Sequence, residues 1–199
     1  MNIGILSLQG DVEKHGSVLR SLGIDFSFVR NADELIELDG LIIPGGESTT
    51  LTHLMKKSKL FQSIQLFAKN KPILGTCAGM IMMSKKSNHR LVAPLGIMDI
   101  EVDRNAYGRQ VFSFIDDLPV RINGHTEKIK ATFIRAPKIT QWGKDVEILA
   151  EYNKEPCAIK QGMHIALSFH PELNGINIFH KEAFINHKAE SKSKPSYAA

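Results

Sequence analysis

Cysteine is scarce in this 199-residue chain, which holds Cys77 and Cys157 and no others. No signal-type pattern opens it and no apolar run approaches membrane-spanning length, so a secreted, disulfide-built or helix-anchored protein is not expected. A reducing cytoplasm, with no membrane partner, is the economical setting. A basic stripe with interleaved aromatics is also missing, which argues against nucleic acid as a partner. The formal net charge is +4, but the tail carries Lys188, Lys192 and Lys194 against Glu190, so about half of the excess lies there rather than on a folded face. Repeats at solenoid periods are absent. What remains is ordinary globular composition, 43% hydrophobic and 23% charged, in a length that suits one domain and is short for two. The expectation is one domain over residues 1–187 and a flexible tail over 188–199, whose Ser, Lys, Ala and Pro cannot bury enough surface to order it.

The stretch from Pro72 to Met83 organises the rest. Pro72-Ile73-Leu74 reads as a buried strand, Ala78-Gly79-Met80-Ile81-Met82-Met83 as a buried helix, and Cys77 sits at the sharp turn between them. Gly75 and Gly79 flank it at i−2 and i+2 and allow the backbone to crowd close, the geometry called a nucleophile elbow when the residue is serine. Unpaired N–H groups and the helix dipole at such a turn favour a thiolate. A free cysteine is also a common small hydrophobe in cores, and the elbow alone leaves both readings open. Cys157, between Pro156 and Ala158 in a strand, reads as a core thiol.

Around this turn the chain alternates. Asn2 to Leu8 is too densely apolar for a one-sided strand and suits the centre of a parallel sheet. A helix through Val12, Leu19 and Leu22 ends at Gly23, Phe26 to Val29 forms a second strand, and Asn31 with Glu34 has capping-box spacing for a short helix through Leu38. Leu41-Ile42-Ile43 is a third strand. This order predicts an α/β fold with a doubly wound, mostly parallel sheet, right-handed crossovers, and a ligand site beyond the carboxyl ends of the strands. Pro44-Gly45-Gly46-Glu47-Ser48-Thr49-Thr50 lies at one such end, with Ser48 or Thr49 placed to cap the following helix. It lacks the spacing and lysine of a Walker A loop. A second helix is expected over Leu60 to Ala68. Later segments, Leu95–Val102, Val111–Ile115, Val120–Ile122, Lys130–Ile134, Val146–Ala150, Cys157–Lys160 and His164–Phe169, read as strands that extend the same sheet and cover one flank of it. Asn177 to His187 reads as a closing helix.

His170-Pro171-Glu172 follows the last strand. In an extended segment, residues two apart project to one side, and Pro171 keeps a helix from forming, so Glu172 is placed to hold His170. A base needs such an orienting group before it can take a proton from a nucleophile. The other seven histidines read as surface or satisfied core residues, His164 being the nearest rival.

The elbow cysteine, the Gly-Gly loop and the terminal His-x-Glu, in this order, resemble the class I (triad) glutamine amidotransferases. With Leu8-Gln9-Gly10, Gly75-Thr76-Cys77-Ala78-Gly79-Met80, Arg104-Asn105-Ala106-Tyr107-Gly108 and Phe133-Ile134-Arg135-Ala136-Pro137, the chain is similar to the glutaminase subunits of pyridoxal 5′-phosphate synthase. Gly162-Met163-His164 and Ser87-Asn88-His89 depart from that pattern. The resemblance implies a single-domain three-layer sandwich of flavodoxin-like type that hydrolyses L-glutamine to glutamate and ammonia without a cofactor or metal. It implies Cys77 as nucleophile, His170 as base and then acid, and Glu172 as orienter. It further implies backbone N–H groups of Gly46 and Ala78 as the oxyanion hole, and Gly46, Glu47, Ser48, Arg104, Ile134 and Arg135 as glutamine contacts. The ammonia would pass to a (β/α)₈ synthase subunit whose docking reorganises the Gly45-Gly46 loop. An inactive binding module of this fold, or a redox sensor whose cysteine is oxidised instead of acylated, is the rival reading.

Overall fold

A computed structural model of the chain describes residues 1–104 and 113–186. The first half follows the expected alternation: β1 (Asn2–Leu6), α1 (Val12–Ser21), β2 (Asp25–Val29), β3 (Gly40–Ile43), α2 (Ser48–Lys57), α3 (Leu60–Phe67), β4 (Ile73–Thr76) and α4 (Ala78–Met83). The helix expected through Leu38 is a single 3-10 turn, Ala32–Leu35, with the Glu34 carboxylate reaching back to the Asn31 N–H at 3.2 Å.

The second half adds β5 (Lys86–Ser87), β6 (Ile100–Asp103), β7 (Phe114–Ile122), β8 (His125–Phe133), β9 (Lys138–Trp142), β10 (Glu147–Tyr152), β11 (Glu155–Gln161) and β12 (His164–Leu167). The central sheet has seven strands in the order β10-β11-β12-β4-β3-β1-β2. From β12 to β2 all pairings are parallel, and β10 and β11 extend the edge antiparallel. Side chains of each central strand alternate between two apolar layers, Leu41 and Ile43 into one and Ile42 into the other. Both faces are dry, which is why the β1 and β3 segments read as continuous apolar runs. One layer packs on α2, α3 and α4; the other lies under α1, the β7–β8 hairpin and the closing helical segment.

Only β10, β11 and β12 extend the central sheet as expected. The β5-β6-β9 sheet and the β7–β8 pair stand apart from it. The segment expected as a strand from Leu95 is irregular as far as Asp99. The N–H groups of Leu95, Gly96, Ile97 and Met98 donate to the carbonyls of Met82, Ser84 and Met83, so this stretch satisfies the C-terminal end of α4 instead of pairing in a ladder. The two short strands expected at Val111–Ile115 and Val120–Ile122 are one strand, β7, with Pro119 inside it, as a two-stranded edge permits. Val111 and Phe112 lie outside the described residues. Asn123 and Gly124, at φ 51° and 77°, turn the chain into β8, the Asn-Gly hairpin signal. The closing helix is one α-turn, Ile178–His180, continued as a π-helix, Lys181–Asn186. The expected tail from Lys188 lies outside the described residues.

Close packing at the elbow is set by glycine. A Cβ on Gly79 would overlap the carbonyl oxygen of Ile43, and one on Gly75 would stand 2.8 Å from the Gly79 carbonyl carbon. Gly79→Ala therefore forces α4 away from β3. The expected loss is ~1–3 kcal/mol, the usual cost of overpacking, read as a lower urea midpoint, and an unchanged midpoint would contradict this packing.

Candidate active site

The carboxyl ends of β3, β4 and β12 lie side by side, with Ile43 opposite Gly75 and Thr76 opposite Leu167. One residue beyond β4, Cys77 takes φ 51° and ψ −106°, a conformation that L-residues seldom adopt. Its N–H donates to the Leu167 carbonyl at 2.8 Å, and its Sγ lies 3.7 Å from the Ile134 carbonyl oxygen. Three residues beyond β12, the His170 N–H donates to the Thr132 carbonyl at 2.9 Å, so the β7–β8 hairpin anchors the histidine. Phe133, Phe169 and Phe179 pack in a row, tilted and then edge-on, with centroids 5.4 and 5.6 Å apart, next to Ile134 and His170 in the chain.

Cys77, His170 and Glu172 meet. His170 Nδ1 lies 2.7 Å from Glu172 Oε1, and its ring lines the same pocket as the Cys77 thiol. Burial alone would lower the pKa of His170, but the contacts with Cys77 and Glu172 outweigh it and raise the value to about 10. Glu172 comes to His170 by a different route from the one expected. Pro171 is the first residue of a 3-10 helix, Pro171–Asn174, and Glu172 lies in its first turn, since proline is tolerated where a helix needs no N–H. Cys157 is the buried thiol expected, its pKa pushed up to about 12 by burial.

An open pocket of about 470 Å³ lies in front of the thiol, lined by Gly46, Glu47, Ser48, Cys77, Arg104, Ile134, Arg135 and His170 among others. These are the glutamine-contact residues expected from sequence, together with the thiol and the imidazole. Arg104 is the only residue of its Arg-Asn-x-Tyr-Gly motif among the described residues; 105–108 lie outside them. The cap of α2 is Glu47 instead of Ser48 or Thr49. Its carboxylate accepts the N–H groups of Thr49 and Thr50 at 3.2 and 2.7 Å and pairs with Arg104 Nη2 at 2.8 Å. Partial burial opposes ionisation, but the hydroxyls and N–H groups of Thr49 and Thr50 prevail and hold its pKa at about 2. Ser48, freed from capping, has a buried Oγ with no hydrogen-bond partner among the described residues. Gly45 packs where a Cβ would strike the His170 ring, and the Gln9 side chain donates to the Glu47 carbonyl at 2.6 Å. Ala78 is buried at the first position of α4, next to the thiol.

Sequence reasoning missed Gly10, Asp11 and Ile81, which also line the pocket, and it missed what lies behind Glu172. His15 of α1 and His180 are both fully buried, 3.1 Å apart through Nδ1 and Nε2, and His15 Nε2 stands 3.7 Å from Glu172 Oε1. The one signal was a histidine in an amphipathic helix, which does not say what it faces.

Residues 5–190 match the SNO glutamine amidotransferase family. The chain belongs to that family. It is 47% identical over 192 residues to the pyridoxal 5′-phosphate synthase subunit PdxT of Oenococcus oeni, covering 96% of this chain and 99% of that protein. It is 48% identical to the PdxT subunit of Shouchella clausii, covering 96% of each. Among solved structures it resembles a glutamine amidotransferase crystal structure with TM-score 0.86 and 37% identity, over 94% of this chain and 98% of that one. The central, mostly parallel sheet flanked by helices is thus an amidotransferase fold.

The pair of buried histidines has a consequence for stability. Burial, with the charges of His180 and His170, keeps the pKa of His15 well below 6.5, and burial brings that of His180 to about 3. Below pH 6.5 the unfolded chain therefore binds more protons than the folded one, and stability falls as pH falls. His170, with its raised pKa, is protonated in both states below that pH and adds no slope there. From pH 6.5 to 5 the neutral His180 costs about 2 kcal/mol, at ~1.4 kcal/mol per pH unit, and His15 acts in the same direction. Urea midpoints are expected to drop across this interval, and a flat profile would contradict it.

Proposed function

We infer that this chain is the glutaminase subunit of a pyridoxal 5′-phosphate synthase, hydrolysing L-glutamine and supplying ammonia to a synthase partner. Family membership and near-full-length similarity to PdxT subunits support it. The observation that carries the chemistry is that Cys77 and His170 line one pocket while Glu172 Oε1 lies 2.7 Å from His170 Nδ1 behind it.

In this reading Cys77 is the nucleophile: His170, as base, takes its proton, and the Sγ attacks the side-chain carbonyl carbon of glutamine. Backbone N–H groups of Gly46 and Ala78 hold the oxyanion; one such donor is typically worth ~3 kcal/mol of barrier. His170 gives its proton to the departing ammonia, leaving a γ-glutamyl thioester, and then takes a proton from the water that releases glutamate. Glu172 keeps the imidazole in one tautomer and orientation. Gly46, Glu47, Ser48, Arg104, Ile134 and Arg135 surround the amino-acid end of the substrate. The carboxylate of Glu47 suits its α-ammonium, the arginines suit its α-carboxylate, and the unpartnered hydroxyl of Ser48 offers a further hydrogen bond. No cofactor or metal enters any step. The partner is a (β/α)₈ synthase subunit, the setting is cytoplasmic, and docking reorganises the Gly45-Gly46 loop, where two glycines permit a peptide flip.

Three measurements test this. A glutamine-like affinity label should modify Cys77 and spare Cys157; labelling at Cys157 alone, or nowhere, counts against the enzyme reading. Cys77→Ala should abolish ammonia release while leaving docking intact, and Glu172→Ala should lower turnover by roughly 10²-fold or more, within the range of a positioned base; wild-type turnover in either variant contradicts the roles. Adding the synthase subunit should raise glutamate release, and equal rates with and without it would refute the docking-dependent loop.

A further inference from the structure

Glu172 is 3% exposed, and an ionised carboxylate in such a place is costly unless several donors surround it. Its Oε1 meets His170, yet its Oε2 has no hydrogen-bond partner among the described residues. The other group paired with it is His15, whose Nε2 lies 3.7 Å from Oε1 and 3.4 Å from the hydroxyl of Thr76, the residue before Cys77. The far side of the same ring, Nδ1, stands 3.1 Å from His180 Nε2. Two tautomers of the pair satisfy that last contact. In one, His15 Nδ1–H donates to His180 and a lone pair on His15 Nε2 faces the carboxylate. In the other, His180 Nε2–H donates to His15 Nδ1, and His15 turns an N–H toward the carboxylate and Thr76. Glu172 Oε1, an acceptor facing His15 Nε2, selects the second. The buried His180 Nδ1, which has no partner among the described residues, is then an acceptor, a lesser cost than an orphaned donor.

We propose that His15 is a positioning residue for glutamine hydrolysis, its Nε2–H, fixed in that tautomer by His180, holding the Glu172 carboxylate turned toward His170. The inference rests on the triad reading above and extends it through the sheet to α1 and the closing helical segment. His15 touches neither substrate nor thiol; it acts through Glu172.

Two polar substitutions separate this from a role in packing. His15→Gln carries an amide N–H near the Nε2 position, whereas His15→Asn places its amide near Nδ1 and leaves the carboxylate side without a donor. In the full-length chain, with the synthase subunit present, His15→Gln should keep kcat within about threefold of wild type. His15→Asn should lower it on the order of tenfold or more, a part of the 10²- to 10⁴-fold that a positioned base contributes, with KM for glutamine unchanged. The downfield proton resonance of the His170–Glu172 hydrogen bond, assigned by its disappearance in His170→Gln, should shift or broaden in His15→Asn and persist in His15→Gln. His180→Phe, which frees the tautomer while leaving His15 in place, should move the resonance in the same direction. Equal kcat in the Gln and Asn variants, or a resonance unmoved in His15→Asn and His180→Phe, overturns the role of His15 and leaves the triad standing. Glutamine hydrolysis persisting in Cys77→Ala would overturn both.

Discussion

The pairing of β12 with β4 is the constraint on which the site depends. Adjacent strands run about 4.8 Å apart, so two residues leaving the same end of neighbouring parallel strands stay within reach of each other however distant they are in sequence. Cys77 prolongs that ladder by one bond, its N–H on the Leu167 carbonyl, and His170 leaves the next strand three residues later. On the other flank β3 ends level with the elbow and delivers the Gly-Gly loop. Gly45 lies against the imidazole and Gly79 against the end of β3, both so close that a single methyl would part them. The positive φ of Cys77 is tolerated because pairing on both sides fixes where β4 must end.

The sheet also divides the site into a wet side and a dry one. The pocket side carries Arg104, Glu47 and Arg135, charges that solvent reaches. Behind His170 lie Glu172, His15 and His180, from which water is excluded. His170 stands at the boundary, and its raised pKa follows from having a carboxylate on one side and a thiol on the other. On the two histidines farther in nothing outweighs burial, and they are held neutral. A neutral imidazole can still direct an N–H at a buried carboxylate, and it does so without adding a second buried charge. Ion pairs at the periphery, such as Lys85 with Asp99 and Lys128 with Asp117, are solvent-exposed and contribute little by comparison.

Much of this was legible in residue order because the information was local. The strand and helix order of the first half, the Cys77 elbow and the buried Cys157 follow from apolar runs, glycines and spacing, all of which act over a few residues. The second half was less legible for an equally physical reason. Leu95 to Met98 alternate like a strand, but their N–H groups cap α4, and alternation does not reveal where a hydrogen bond goes. Asn123-Gly124 is a local hairpin signal, and it does turn β7 into β8. Glu47 displaced Ser48 as the α2 cap because a longer carboxylate can reach two N–H groups and Arg104 together.

The sequence by itself determined the candidate groups, since a thiol at an elbow, a histidine followed by Pro-Glu and a loop of two glycines are properties of short stretches. It determined the fold class too, through the alternation of buried runs. Only the tertiary structure decided what surrounds those groups: that Arg104 pairs with Glu47, that Pro171 begins a helix instead of preventing one, and that His15, 157 positions from Glu172 along the chain, lies beside its carboxylate. Pattern and propensity are short-range, whereas the ionisation and orientation of a buried group depend on whatever the folded chain packs within a few ångströms of it.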